Sequence, residues 1–279
     1  MVQEFNWKTK DGIEIYAVNW KVEQPKAVVA LIHGLGEHSR RYDHLAAYFN
    51  QKDYAVVGYD RRGHGLSKGK RGHTKNYDSF LDEVADLLAE TKKAYPNTPI
   101  FIYAHSMGGN IGLNYVLKHR PDIVGTITTG TWIKLALPTP TILVFFSKLL
   151  RAIYPGLTFS NKLDGSLITS IPEEAKKYEQ DPLVHAKITA ATAVEMLAAA
   201  KRLEDYSGPF PTPLLMMHGE SDPIIDPESS RGFVKRVTGD ISHQEFKGLH
   251  EVHYENIETR TALFDRAITW MDDQLKKRK

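Results

Sequence analysis

The chain has 279 residues, no cysteine, and 36 basic against 34 acidic side chains, for a net charge of +2 with histidine neutral. That balance gives no electrostatic case for a nucleic-acid partner, and the missing cysteines exclude disulfides, thiolate nucleophiles and cysteine-built metal sites. With 42% hydrophobic and 25% charged residues, the composition fits one large soluble domain, or one domain with an inserted lobe, rather than a disordered or fibrous chain.

In chain order, Asp11-Gly12 is a hairpin-type turn between two antiparallel strands, "EFNWKT" and "IEIYAVNW". The opening "MVQEFNWKTKDG" has no apolar run of the kind a secretory leader needs, so a cytoplasmic location is the expectation. "AVVALIH" (27–33) and "YAVVGYD" (54–60) read as buried strands on either side of a helix in "RYDHLAAYFNQK". After the loop "RRGHGLSKGKRGH", Phe80, Val84, Leu87 and Leu88 mark one face of a long helix that ends near Pro96. "PIFIYA" (99–104) is the next strand, "GGNIGLNYVLKHR" a helix stopped by Pro121, and "IVGTITTG" (123–130) a further strand. Strands alternating with amphipathic helices predict a mostly parallel central sheet with helices on both faces.

The alternation breaks at about Trp132. Residues 133–206 read as helices and loops with no strand, including the Ala-rich "ITAATAVEMLAAAKRL". It resumes at "PLLMMHG" (213–219) and "HQEFKG" (243–248), and closes with a helix through "TALFDRAITWMDDQLKKRK". The expected division is a core of residues 1–132 and 207–279 carrying a helical cap at 133–206. The longest apolar stretch, "TILVFFSKLLRAIY" (141–154), is broken by Lys148 and Arg151. It is shorter than the roughly 20 residues of a spanning helix, so it reads as a lid over an apolar cavity or a transient contact with a membrane surface. The basic end Lys276-Lys277-Arg278-Lys279 fits a solvated helix C-terminus.

Chemistry concentrates in "FIYAHSMGGN" (101–110), where a strand runs into a helix through a serine with small neighbours. A serine hydroxyl needs a base, an exposed position, and backbone donors for the oxygen on which charge develops. The strand-to-helix turn of the G-x-S-x-G motif supplies the last two, and Ser106 sits in such a turn with Ala104 in the first glycine's place and Gly108 in the second's. An acid follows a later strand in "LLMMHGESDPIID": Asp222, with Asp226 and Glu220 as rivals. A histidine follows the next in "EFKGLHEVHYE": His250, with His253 as rival. Because those two histidines are three apart and follow a strand, they do not match the H-E-x-x-H helix of a zinc site. In "LIHGLGEHSRRY" (31–42) a Gly-rich loop leaves a strand, and Ser39 stands where a dinucleotide fingerprint needs its third glycine. The loop fits an oxyanion hole formed by the N–H groups of Leu35 and Met107.

Together "HGLGEHSRRY", "YDRRGHGLSKGKRG", "AHSMGG", "HGESDPIID" and "GLHEVHYE" resemble the monoacylglycerol lipase/lysophospholipase group of serine α/β-hydrolases, and "NKLDGSLITSIPEEAKKYEQDPLVHAKITA" resembles that group's cap. The resemblance implies an α/β-hydrolase fold, Ser106 as nucleophile, Asp222 as acid, His250 as base, and Leu35 and Met107 as oxyanion donors. It also implies that Glu37, Arg41 and His253 line a polar pocket for a glycerol moiety, with no cofactor or metal. The implied activity is hydrolysis of a small lipid ester, foremost a monoacylglycerol, through an acyl-enzyme. Short-chain carboxylesterase, lysophospholipase and acyltransferase are the enzymatic alternatives, and a non-catalytic ligand-binding protein on the same fold is the alternative of another class. Two departures from the group are Ala104 and a segment, Gly248-Leu249-His250, one residue shorter than usual before the base. An acyl chain needs an aliphatic slot, for which Leu135, Leu137, Leu143, Phe145, Phe146, Leu149 and Leu150 are available. "DRRGHG" (60–65) is expected to shape the loop beneath the site, with His64 structural.

Overall fold

The computed structural model describes residues 1–137, 153–160 and 164–278. The chain opens on β1 (Val2–Lys8) and β2 (Glu14–Trp20), joined through Gly12 at φ 83°, a left-handed angle that glycine adopts without a steric penalty. β3 (Ala27–Ile32), helix α1 (Asp43–Asn50), β4 (Tyr54–Tyr59) and α2 (Asp78–Ala94) follow. Then come β5 (Ile100–His105), α3 (Met107–His119) and β6 (Gly125–Thr129). The segment after β6 contains β7 (Thr158–Ser160), α4 (Gly165–Ile168), α5 (Pro172–Gln180), β8 (Lys187–Thr189) and α6 (Ala190–Asp205). The chain closes with β9 (Gly208–Pro209), β10 (Leu214–Gly219), α7 (Pro227–Arg236), β11 (Val237–Thr238), β12 (Ile241–Phe246) and α8 (Ile257–Lys277).

Eight strands form one sheet in the order β1-β2-β4-β3-β5-β6-β10-β12. Only the β1/β2 and β2/β4 pairs are antiparallel; every other neighbouring pair is parallel. Both faces are covered, so the central strands are buried at every position, and their apolar residues divide between two cores with the period of two that a pleated strand imposes. Val28, Ala30 and Ile32 join a core with Phe80 and Val84 of α2, Ile111 of α3, Met196 of α6 and Phe233 of α7. Ala27, Val29 and Leu31 join the opposite core with Leu45 and Phe49 of α1 and Phe264, Trp270 and Met271 of α8.

Three elements differ from the sequence reading. Thr158–Ser160 and Lys187–Thr189 pair as an antiparallel ribbon inside the segment read as strandless, because three-residue strands are too short for alternation to register. Helix α7 was not foreseen, although Pro227 at its first turn and Asp226 as its N-cap are ordinary start signals. The final helix begins at Ile257, where Asn256 accepts the Thr259 N–H, ahead of the residues read as helical. Of the positions expected to form an aliphatic slot, Leu143, Phe145, Phe146, Leu149 and Leu150 lie outside the described residues. Leu135 bridges to Ile225 beside α7, and Leu137 is exposed. Among the described residues no helix is long and apolar enough to cross a membrane.

Parallel strands bring β3, β5, β10 and β12 to one carboxyl edge, and the loops leaving them carry the expected site residues. α3 approaches that edge closely: a Cβ on Gly108 would lie 2.3 Å from the Ile32 carbonyl oxygen and 2.4 Å from that of His33. Those atoms are backbone and cannot swing aside. Gly108→Ala should therefore cost on the order of 1–3 kcal/mol, lowering Tm by roughly 3–10 °C in a thermal melt.

Candidate active site

Ser106 is the residue between β5 and α3, and its backbone is at φ 54°, ψ −117°. A non-glycine residue at positive φ is strained, and here hydrogen bonds on every side hold it. Its N–H donates to the Thr129 carbonyl at 2.9 Å, and its own carbonyl accepts from the N–H groups of Asn110 at 3.1 Å and Trp132 at 3.0 Å. Ala104 fits because the residue facing it on α3 is Gly112, where an added Cβ would lie 3.3 Å from the Ala104 methyl. The larger residue on the strand is matched by a missing side chain on the helix.

Ser106 Oγ lies 2.8 Å from His250 Nε2, across 144 residues of sequence, and His250 Nδ1 lies 2.7 Å from Asp222 Oδ2. Asp222 accepts three further hydrogen bonds, from His218 Nε2 at 3.0 Å to Oδ2 and from the N–H groups of Ile224 and Ile225 at 2.8 and 3.0 Å to Oδ1. Burial would raise its pKa, but the His250 charge and the His218 and His250 hydrogen bonds prevail and hold it well below the usual carboxylate range. Burial likewise works against a proton on His250, and the Asp222 carboxylate outweighs it, so the His250 pKa is raised above its ordinary 6.5. His218 was not foreseen. It lies four residues before Asp222 in β10, and its Nδ1 is hydrogen-bonded to Ser230 Oγ of α7 at 2.7 Å, which orients the ring against the carboxylate.

The rivals are elsewhere. Asp226 caps α7 by accepting the Glu228 N–H, and Glu220 is exposed. His253 is fully buried, stacked on Tyr42 at 5.0 Å and edge-on to His105 at 4.9 Å, and neither ring nitrogen has a hydrogen-bond partner among the described residues. Burial pushes its pKa well below the ordinary value, which keeps the ring neutral. The short approach to His250 is accommodated by Gly248 at φ 146° and by Glu255, whose Oε1 accepts the Leu249 N–H at 2.9 Å. Glu255 also accepts the Ser170 N–H at 3.0 Å, while the Glu251 N–H donates to the Ile168 carbonyl at 2.7 Å. The histidine loop is thus fastened to the end of α4 and the residues after it.

The loop after β3 runs beside the serine, with Gly34 so close that an added Cβ would lie 3.3 Å from Ser106 Cβ. No hydrogen bond among the described residues takes up the N–H of Leu35 or of Met107, the first residue of α3. Glu37 accepts from the Gly34 N–H, from Tyr42 Oη at 2.8 Å and from Arg41 Nε at 3.2 Å. A second Arg41 nitrogen donates to Glu251, and the guanidinium lies between the rings of Tyr178 and Tyr254 at 4.6 and 4.5 Å. Glu251 was not foreseen; burial, against the pull of Arg41, raises its pKa to about 7. Glu37, His105 and Glu251 bring one potential metal-ligand atom each within 4.8 Å of one another, and Arg41 already supplies a cation to both carboxylates.

Residues 23–257 match the serine aminopeptidase S33 family of hydrolases. The chain is 36% identical over 281 residues to an uncharacterized abhydrolase domain-containing protein of Dictyostelium discoideum, covering 98% of this chain but only 29% of that protein's length. It is 29% identical over 267 residues to a monoacylglycerol lipase of Mycolicibacterium smegmatis, covering 95% of each. Among solved structures it superposes on the monoacylglycerol lipase of Paleococcus ferrophilus with a TM-score of 0.81 at 28% identity, covering 98% of this chain and 99% of that one.

The raised pKa of His250 makes a prediction about pH. A base works only when neutral, so ester hydrolysis should rise with pH through a midpoint above 6.5. Asp222→Asn removes the charge that favours the protonated ring. It should move the midpoint of kcat/KM to lower pH while depressing the plateau by about 10⁴-fold, read from pH–rate profiles on a p-nitrophenyl ester.

Proposed function

This chain belongs to the serine aminopeptidase S33 family and hydrolyses carboxylic esters, and from that premise we propose that its substrate is a monoacylglycerol, cleaved to glycerol and a fatty acid through an acyl-enzyme on Ser106. The observation that carries the reading is the unbroken relay from Ser106 Oγ through His250 to Asp222, beside two uncommitted N–H donors.

In this reading Ser106 Oγ attacks the ester carbonyl as His250 Nε2 takes its proton, and Asp222 stabilises the imidazolium by accepting from Nδ1. The carbonyl oxygen becomes an anion and accepts from the N–H groups of Leu35 and Met107. As the carbonyl re-forms, the C–O bond to glycerol breaks and His250 passes its proton to the departing oxygen. Water then attacks the Ser106 ester, giving its proton to His250, and the fatty acid leaves as the proton returns to Oγ.

The choice of glycerol rests on the polar groups next to this relay. A glycerol leaving group carries two free hydroxyls that need partners in a site from which water is largely excluded. Glu37 and Glu251 offer carboxylate oxygens, and His253 offers two unengaged ring nitrogens. Arg41 contributes by holding both carboxylates, since two of its donors already serve them. The monoacylglycerol lipases among its relatives support the same substrate class.

Turnover measured across long-chain monoacylglycerols, lysophospholipids and short-chain esters should be greatest on the first, and Ser106→Ala should abolish it on all three. His253→Ala should raise KM for a monoacylglycerol by roughly 3–10-fold, the worth of one neutral hydrogen bond, with little change for a p-nitrophenyl ester that has no diol. A preference for short esters together with an unchanged KM in His253→Ala would replace this reading with a short-chain carboxylesterase.

A further inference from the structure

Arg61 is fully buried, yet among the described residues no carboxylate lies within ion-pairing distance of it. Its neighbour Arg62 takes the nearby acids, pairing with Glu83 and Asp11. Arg61 instead rests against the Phe80 ring, 6.0 Å from its centre, and gives its terminal nitrogens to two backbone carbonyls, those of His33 and, at 2.5 Å, Gly34. A desolvated guanidinium without a counter-charge is costly to keep. The relay through Ser106 makes no use of it.

The two carbonyls it holds belong to the loop beside the serine. Gly34 C=O and Leu35 N–H are the two ends of one planar trans peptide and point in opposite directions. Gly34 O also lies 2.8 Å from His33 Nδ1. His33 Nε2 accepts the Arg61 N–H at 3.0 Å, so the ring proton is on Nδ1 and Gly34 O receives two donors, one of them cationic. The preceding N–H, that of Gly34, is taken by Glu37. The Gly34 C=O, the Gly34 N–H and both His33 ring nitrogens are engaged, whereas the Leu35 N–H takes no partner among the described residues.

We propose that Arg61 is a positioning residue for the oxyanion hole: by gripping the His33 and Gly34 carbonyls from beneath, it aims the Leu35 N–H at the ester oxygen and strengthens it as a donor. The inference rests on the reading of Ser106 as nucleophile with Leu35 and Met107 as oxyanion donors. A peptide whose carbonyl accepts a charged hydrogen bond is polarised, and its N–H becomes a better donor. The benefit grows as negative charge collects on the substrate oxygen, so it is felt in the transition state more than in the bound ester.

The test compares wild type, Arg61→Met and Arg61→Lys, with active sites counted by end-point fluorophosphonate titration. Per titrated site, Arg61→Met should lose about 10–100-fold in kcat with KM little changed, less than the loss seen when an oxyanion donor is removed outright. Its Ki for a trifluoromethyl ketone, which forms a tetrahedral oxyanion adduct, should rise by the same factor. A merely structural role would reduce the number of titratable sites without moving that Ki. Arg61→Lys keeps the charge but reaches one carbonyl, and should recover part of both losses. Fully titratable Arg61→Met with wild-type kcat and Ki would overturn the proposal. If Arg61→Met does not fold, Arg61→Lys decides: kcat and Ki shifted together support it, and an unchanged Ki overturns it. Absence of ester turnover in the wild type would instead remove the functional reading, a result distinct from either.

Discussion

Helix α3 is pressed against the end of β3 with only the α-carbon of Gly108 between them, and the rest of the site depends on that contact. Because Ile32 and His33 present backbone oxygens there, any side chain at position 108 would push the helix off the sheet edge. The chain must leave β5 and enter α3 within one residue, which forces Ser106 to positive φ and lifts its hydroxyl off the sheet. The same close approach brings the Met107 N–H and the loop after β3 to the same side of the serine. The proposed nucleophile and oxyanion donors are therefore placed by a single packing constraint.

Around that turn the protein keeps charge in a nearly closed space. Ser106, Asp222 and His250 are all buried, and at low dielectric an unpartnered ion is expensive while a paired one acts strongly. Asp222 is surrounded by four donors, and Glu37, Arg41 and Glu251 share one buried network. His33, His105 and His253, by contrast, are held neutral by burial. Only His250, with a carboxylate behind it, has its pKa raised in this group.

Much of this was legible in the residues, because the strongest signals are periodic or local. Strands such as "AVVALI" and "YAVVGY" are apolar at every position, as two-sided burial requires, and the turns after them carry small residues that could be read one by one. The order of Ser106, Asp222 and His250 along the chain narrowed the search and the family resemblance named Asp222; spacing alone left Asp226 as a rival, because both follow β10, and in the structure Asp222 faces His250 while Asp226 caps α7. Glu251 and His218 were missed for a related reason. Each is an ordinary polar residue whose importance lies in a partner far away in sequence or across a layer, such as Arg41, 210 positions from Glu251. Ala104 was legible as a departure, whereas its remedy, Gly112, sits on a different element and has no signature of its own.

The distance in sequence between Ser106 and its base has a consequence for the order of events during synthesis. The serine turn, the loop after β3 and the first six sheet strands emerge before β10 and β12, which deliver Asp222 and His250. A nascent chain therefore carries a complete serine turn with nothing to take its proton. In the proposed mechanism the base reaches Ser106 only when the last strand has joined the sheet edge and the histidine loop is fastened to the segment after α4. The order in which the parts are made thus keeps the proposed nucleophile and its base apart until the fold is complete.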